Sequence, residues 1–114
     1  MERAELAARL VAAANNAERE ALLRENSVRA DVGLAYVLKD ICLGGWGSDP
    51  VRASAAAAAL ETLDSVTDDA EVTALAAWGA GIAALIDGQM ERAVKRFETA
   101  ASLFVQLGKS HTAA

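Results

Sequence analysis

Residues 74–103, ALAAWGAGIAALIDGQMERAVKRFETAASL, decide the fold. The first part, through Ile86, is small and apolar, and Asp87-Gly88 follows as a turn signal. Met90, Ala93, Val94, Phe97, Ala100, Ala101, Leu103 and Phe104 then recur at the spacing of one helix face. Glu91, Arg92, Lys95, Arg96 and Glu98 occupy much of the rest. The pattern predicts two helices joined by one tight turn, and helices so joined lie antiparallel. Gly81, Ala84, Ala93 and Ala100 are small where the two can face each other, so a close seam is expected.

Gly81, Ala84, Gly88, Ala93, Phe97 and Ala100 also stand at the spacing of the small, turn and aromatic positions of a tetratricopeptide repeat, and the stretch resembles one such unit. Ala77 and Ala80 depart from it, standing where the consensus has a large Trp and Leu, and Trp78 comes one residue late. Ala59, Leu63 and Val66 precede Ala93, Phe97 and Ala100 by the ~34-residue period of that repeat. The first helix of the earlier unit, with Asp31, Leu34, Ala35 and Leu38 at signature positions, lies about twelve residues too far upstream for that period. A Gly-rich insertion around Trp46 is read as the excess. The resemblance implies an all-α fold of antiparallel hairpins stacked as a right-handed superhelix. A hairpin of this kind cannot bury its own face and needs neighbours.

Composition agrees with an all-α reading. Alanine, the best helix former, is the commonest residue, there is one proline, and aromatic residues make up 4%. The 114 residues suffice for one domain with a modest core. The net charge of −5 and pI near 4.8 argue against nucleic acid, which needs clustered Lys and Arg. Glu61, Asp64, Asp68, Asp69 and Glu71 read as a solvated loop and a helix start, where acids belong. A single cysteine, Cys42, rules out an internal disulfide or a cysteine-rich metal site. The apolar run 74–86 is too short to span a bilayer, and no signal segment opens the chain, so a cytoplasmic protein is expected.

Read in order, residues 2–14 form a helix with Leu6 and Leu10 on one face. Asn15-Asn16 is read as a break, with Asn15 and Glu18 as a capping box, against the alternative that the alanines carry the helix through. Asn26-Ser27 is a second break, and Val28–Leu43 a long amphipathic helix in which Tyr36 and Val37 widen the apolar side toward two neighbours. Gly44-Gly45 is expected to end it with a left-handed glycine. Asp49-Pro50 starts the next helix, over Val51–Leu63. Asp68 or Asp69 caps a helix over Ala70–Ile86, and the last runs from Gln89 or Met90 to about Val105, closed by Leu107-Gly108. Residues 110–114 read as the opening of a further helix, so the chain reads as one tetratricopeptide-like domain from a longer array. Residues 1–27 form its N-terminal part, with hairpins over 28–66 and 69–106.

From about residue 17 onward the chain resembles the repeat region of bacterial CHAT-domain proteins, in which helical repeats precede a caspase-like peptidase domain. The likeness rests on a long helix ending in Cys42-x-x-x-Trp46, the Asp49-Pro50 start, Trp78-x-x-Gly81-Ile82-Ala83, and Gly88-Gln89-Met90. It implies partner binding and control of a peptidase by the repeats. The peptidase's own His and Cys would lie in a domain this chain does not include.

Nothing in the sequence assembles an active site. Cys42 and His111 are the only thiol–imidazole pair, one among Ile41 and Leu43, the other in the tail. No phosphate-binding loop is present, since Gly44-Gly45-Trp46-Gly47 lacks the lysine. The expectation is no catalysis, no cofactor and no metal. The candidate partner-binding residues are Trp46, Tyr36 and Phe104. Trp46 either packs back over its hairpin or stands free as an aromatic anchor. Phe104, with Phe97 and Leu103, lies on a last helix that has no later cover. Two function classes follow: a module that receives a protein or peptide, and a structural segment that forms a homodimer. A ligand-sensing bundle is a third. The scarcity of polar residues between Thr73 and Asp87 points to heavy burial there and keeps self-association in view.

Overall fold

The computed structural model describes residues 2–108. Among them are six α-helices, one short 3-10 turn and no strand: α1 (Arg3–Ala12), α2 (Asn16–Glu25), the turn Ser27–Arg29, α3 (Val32–Gly45), α4 (Pro50–Val66), α5 (Ala70–Ile86) and α6 (Met90–Gln106). Residues 110–114, with the expected further helix and His111, lie outside the described residues.

Most helix ends follow from local chemistry. The Asn15 side chain accepts from the Glu18 N–H at 2.9 Å, and Glu18 returns a carboxylate oxygen to the N–H of Ala14 at 2.5 Å. That reciprocal cap separates α1 from α2. Asp49 caps α4 with Pro50 in the first turn, and Asp69 caps α5. At the end of α5, Gln89 N–H reaches Ala84 O at 2.8 Å and Gly88 N–H reaches Leu85 O at 3.1 Å, with Gly88 at φ +75°. This is the Schellman pattern, which needs a left-handed residue and so favours glycine.

Three expectations are corrected. The helix expected from Val28 begins at Val32, because the Asp31 carboxylate captures the Leu34 N–H at 3.1 Å; Val28 sits 78% exposed in the preceding turn. Gly44 and Gly45 do not supply a left-handed end: the only positive-φ glycines among the described residues are Gly88 and Gly108. Gly44 and Gly45 lie within α3, whose pattern continues as Trp46 N–H bonds to Cys42 O at 3.1 Å. Gly45 is buried beside Ala53, where a Cβ would stand at an ordinary contact distance, 3.5 Å from the Ala53 backbone nitrogen. Finally, only residues 46–49 separate α3 from α4, so no loop insertion accounts for the spacing. Helices α3 and α5 begin at 32 and 70, and α4 and α6 at 50 and 90, so the structural repeat is 38–40 residues. The period is long because α4, α5 and α6 each run 17 residues. In that register Ala93 corresponds to Ala53, not Ala59.

Packing ranks the helices. α4 touches α1, α2, α3 and α5, while α5 lies between α4 and α6 and also meets α3. Burial on α4 covers most of its circumference, through Ala53, Ala56, Ala57, Ala59, Leu60, Thr62 and Leu63. A helix apolar nearly all round is an interior helix, and alanine lets four neighbours come close. On α5, two glycines face two partners. A Cβ on Gly79 would stand 3.0 Å from Leu60 Cδ1 of α4, and one on Gly81 would stand 2.8 Å from the Phe97 ring of α6. The main core joins Leu6, Leu10, Leu23, Leu34, Leu38, Leu60, Leu63, Val72, Leu75 and Phe104; a smaller cluster joins Cys42, Ala53, Ala56, Ala57 and Ile82.

Polar contacts fix the N-terminal helices. Arg19, 8% exposed, donates through Nε to Leu10 O at 3.1 Å and through a terminal nitrogen to Asn16 Oδ1 at 2.7 Å. It thereby satisfies a carbonyl at the end of α1, where a cation is favoured. Arg3 pairs with Asp31 through two hydrogen bonds, one of them Nε to Oδ1 at 2.9 Å, tying the start of α1 to the start of α3. That hydrogen bond from Arg3 holds the Asp31 carboxyl below its usual range. A depressed carboxyl contributes stability above its unfolded value, near 4, and loses it as pH falls through the folded value. Asp31→Asn keeps the cap but loses the charge. It should therefore show a small loss in thermal midpoint at pH 7 that shrinks as pH falls below the free carboxyl value, near 4. A pH-independent loss in parallel melts would show that the pairing does not matter.

Candidate interaction face

Helices α3 and α5 lie side by side, and each turns one stripe partly outward. On α3 the stripe is Tyr36, Lys39 and Leu43, spaced three and four residues apart. On α5 it is Glu71, Trp78 and Leu85, seven apart. The Tyr36 hydroxyl donates to the Glu71 carboxylate across the two helices. Burial, then this hydrogen bond, pushes the Tyr36 phenol up to about 12, so it stays a neutral donor. The Lys39 ammonium lies 6.0 Å from the centre of the Tyr36 ring and 5.8 Å from that of Trp78. Both distances are within reach of a cation–π attraction. Lys39 therefore bridges the helices, held over two aromatic faces while its own surroundings remain partly open.

Beneath the cluster, Trp78, Leu85 and Phe97 pack against the smaller core of Cys42, Ala53, Ala56, Ala57 and Ile82. The floor is thus apolar and fixed by the alanine seam, and the rim carries one ammonium and one carboxylate. Such an arrangement can recognise a chain segment through apolar contact and one placed charge. Cys42 offers no chemistry to it: the thiol is fully buried, and burial pushes it up to about 11. Modification of Cys42 by a thiol reagent should wait on unfolding, and Cys42→Ser should cost about 1–3 kcal/mol by burying a poorly partnered hydroxyl. Rapid labelling of the native chain would contradict that placement.

The three residues singled out from sequence separate. Tyr36 belongs to the cluster. Trp46 is 46% exposed at the end of α3. Phe104 is 8% exposed and lies in the main core, with Leu103 packed beside it and Phe97 over Gly81. The expected open face of Phe97, Leu103 and Phe104 is therefore largely covered by α5 and the core. Lys39 and Glu71 were missed by sequence reasoning. Their meeting joins residues far apart in sequence, 35 for Tyr36 and Glu71, and no local signal encodes that.

Other features offer less. Among the described residues no three His, Cys, Asp or Glu side chains gather where a metal ion could be held, and no helix is long and apolar enough to cross a membrane. A depression of about 470 Å³ between α1 and α2, lined by residues including Arg9, Glu18, Leu22 and Glu25, is wide open to solvent, unlike the concave sites that enclose small ligands. Compared with known proteins, the chain matches no protein-family model, no curated protein and no solved structure.

Proposed function

We propose that the chain is a protein-interaction module of tetratricopeptide type, without catalytic activity of its own, and that it receives a peptide segment on the face shared by α3 and α5. The observation that carries this reading is the cluster of Tyr36, Lys39, Trp78 and Glu71, partly open to solvent above a rigid alanine-rich floor. Aromatic side chains over a well-packed base are where binding energy concentrates. The all-helical hairpin order and the small-residue seam support the repeat reading. The resemblance to the repeats of CHAT-domain proteins adds a role in controlling an attached or partner peptidase. The open depression at α1 and α2 gives a ligand-sensing bundle no comparable support.

A peptide library displayed on phage and selected against the purified chain tests the proposal. Enriched peptides should bind the wild-type chain and lose about tenfold or more in affinity to Lys39→Glu, which keeps the helical circular dichroism spectrum. Failure to enrich any peptide, or enrichment indifferent to Lys39→Glu, would contradict it.

A further inference from the structure

The stack has one closed end and one open end. At the N-terminal end α1 lies across α3 and α4, with Leu6, Ala7 and Leu10 fully buried. At the other end α6 packs along α5 and makes no comparable contact with any other described helix. Its inner residues Ala93, Ala100 and Phe104 are buried, but a second apolar stripe remains beside them. Met90, Val94 and Val105 are 60%, 51% and 61% exposed, and Ala101 is exposed between them.

The steps along this stripe are four, seven and four residues, from 90 to 94, 101 and 105. The order is the same read from either end. A two-fold axis passing beside α6, level with the Phe97–Glu98 peptide, therefore maps the stripe onto that of a second copy, as an isologous contact requires. Met90 of one copy then meets Val105 of the second, and Val94 meets Ala101, a small residue that lets the helices approach. Glu98 and Lys95 occupy the same edge of the stripe, about three residues apart. In the antiparallel pair the two Glu98 side chains flank the axis, and each has Lys95 of the second copy within about a turn, so the two ammonium groups offset the paired carboxylates. At the far end α1 occupies the corresponding place, with Leu6 and Leu10 buried.

We propose that α6 docks against α6 of a second copy of this chain, antiparallel about that axis. The proposal is independent of peptide binding at α3 and α5. A single helix pair about 25 Å long gives a contact below the usual ~800 Å² per partner, so the dimer is weak, with dissociation in the micromolar range.

Sedimentation equilibrium of the full chain, from low to high micromolar concentration, is the test. Wild-type chain should shift reversibly from monomer to dimer. Val94→Glu should weaken association by about tenfold or more while leaving the melting of the dilute monomer unchanged. Under mild oxidation Glu98→Cys, next to the axis, should give a disulfide-linked dimer, and Glu20→Cys on α2 should not. A chain that stays monomeric at high micromolar concentration, as when another protein or another segment covers α6, overturns the proposal. So does a dimer that Val94→Glu leaves intact or that Glu20→Cys links as well.

Discussion

Gly81→Ala is expected to destabilise the protein by about 1–3 kcal/mol, although alanine is the better helix former. The reason is the seam between α5 and α6. A Cβ at Gly81 would stand 2.8, 2.9 and 3.0 Å from three carbons of the Phe97 ring, inside any ordinary contact distance. Either the ring swings out and loses its burial, or the helices part. Gly81→Leu, with three further carbons, should cost more still. The sign of the effect belongs to Phe97 alone. In a Phe97→Ala background the obstacle is gone, and Gly81→Ala should then stabilise by up to ~1 kcal/mol, the ordinary gain of alanine over glycine in a helix. Urea titrations of the four variants give the coupling directly. Equal effects of Gly81→Ala in both backgrounds would remove Phe97 from the seam.

Leu10→Ala should cost about 2–5 kcal/mol. Leu10 is fully buried in the main core with Leu34, Leu38 and Leu63. Its helix has 10 residues, too few to persist in water without tertiary contacts. Its carbonyl also receives the Arg19 Nε, so a loosened α1 strands a buried guanidinium as well. Against a total of about 6–17 kcal/mol for a chain of this length, the loss is a large fraction. A change under about 1 kcal/mol in denaturant unfolding would mean that α1 is an appendage and that α3 and α4 need no cover.

These placements show what the sequence discloses and where it stops. Capping residues were readable because their chemistry is local: Asn15 with Glu18, Asp49 with Pro50, Asp69 and Gly88 all mark true helix ends. So was the contrast between α6, sharply amphipathic, and α4 and α5, apolar nearly all round, which separates an edge helix from interior ones. Asp31 was hidden by Val28, whose apolar side chain continues the helical pattern backward past the true cap. Gly44-Gly45 looked like a stop because glycine is the usual left-handed helix end, yet neither takes a positive φ and both lie within α3. The ~34-residue comparison paired Ala59 with Ala93 because alanine is so common that a false register scores well. Of the site, Tyr36 was legible and its neighbours were not, since Lys39 and Trp78 lie on different helices and meet only where α3 packs beside α5.

The most direct test of the interaction face uses the two tryptophans as opposed reporters. Each gives its own indole N–H signal in the nitrogen–proton spectrum of the labelled chain. Trp78 lies in the cluster, and Trp46 stands at the end of α3, 46% exposed. Titration with a selected peptide should shift the Trp78 indole and the Tyr36 and Lys39 amides while the Trp46 indole stays in place. A titration that moves Trp46 and leaves Trp78 still would contradict the assignment of the α3–α5 face.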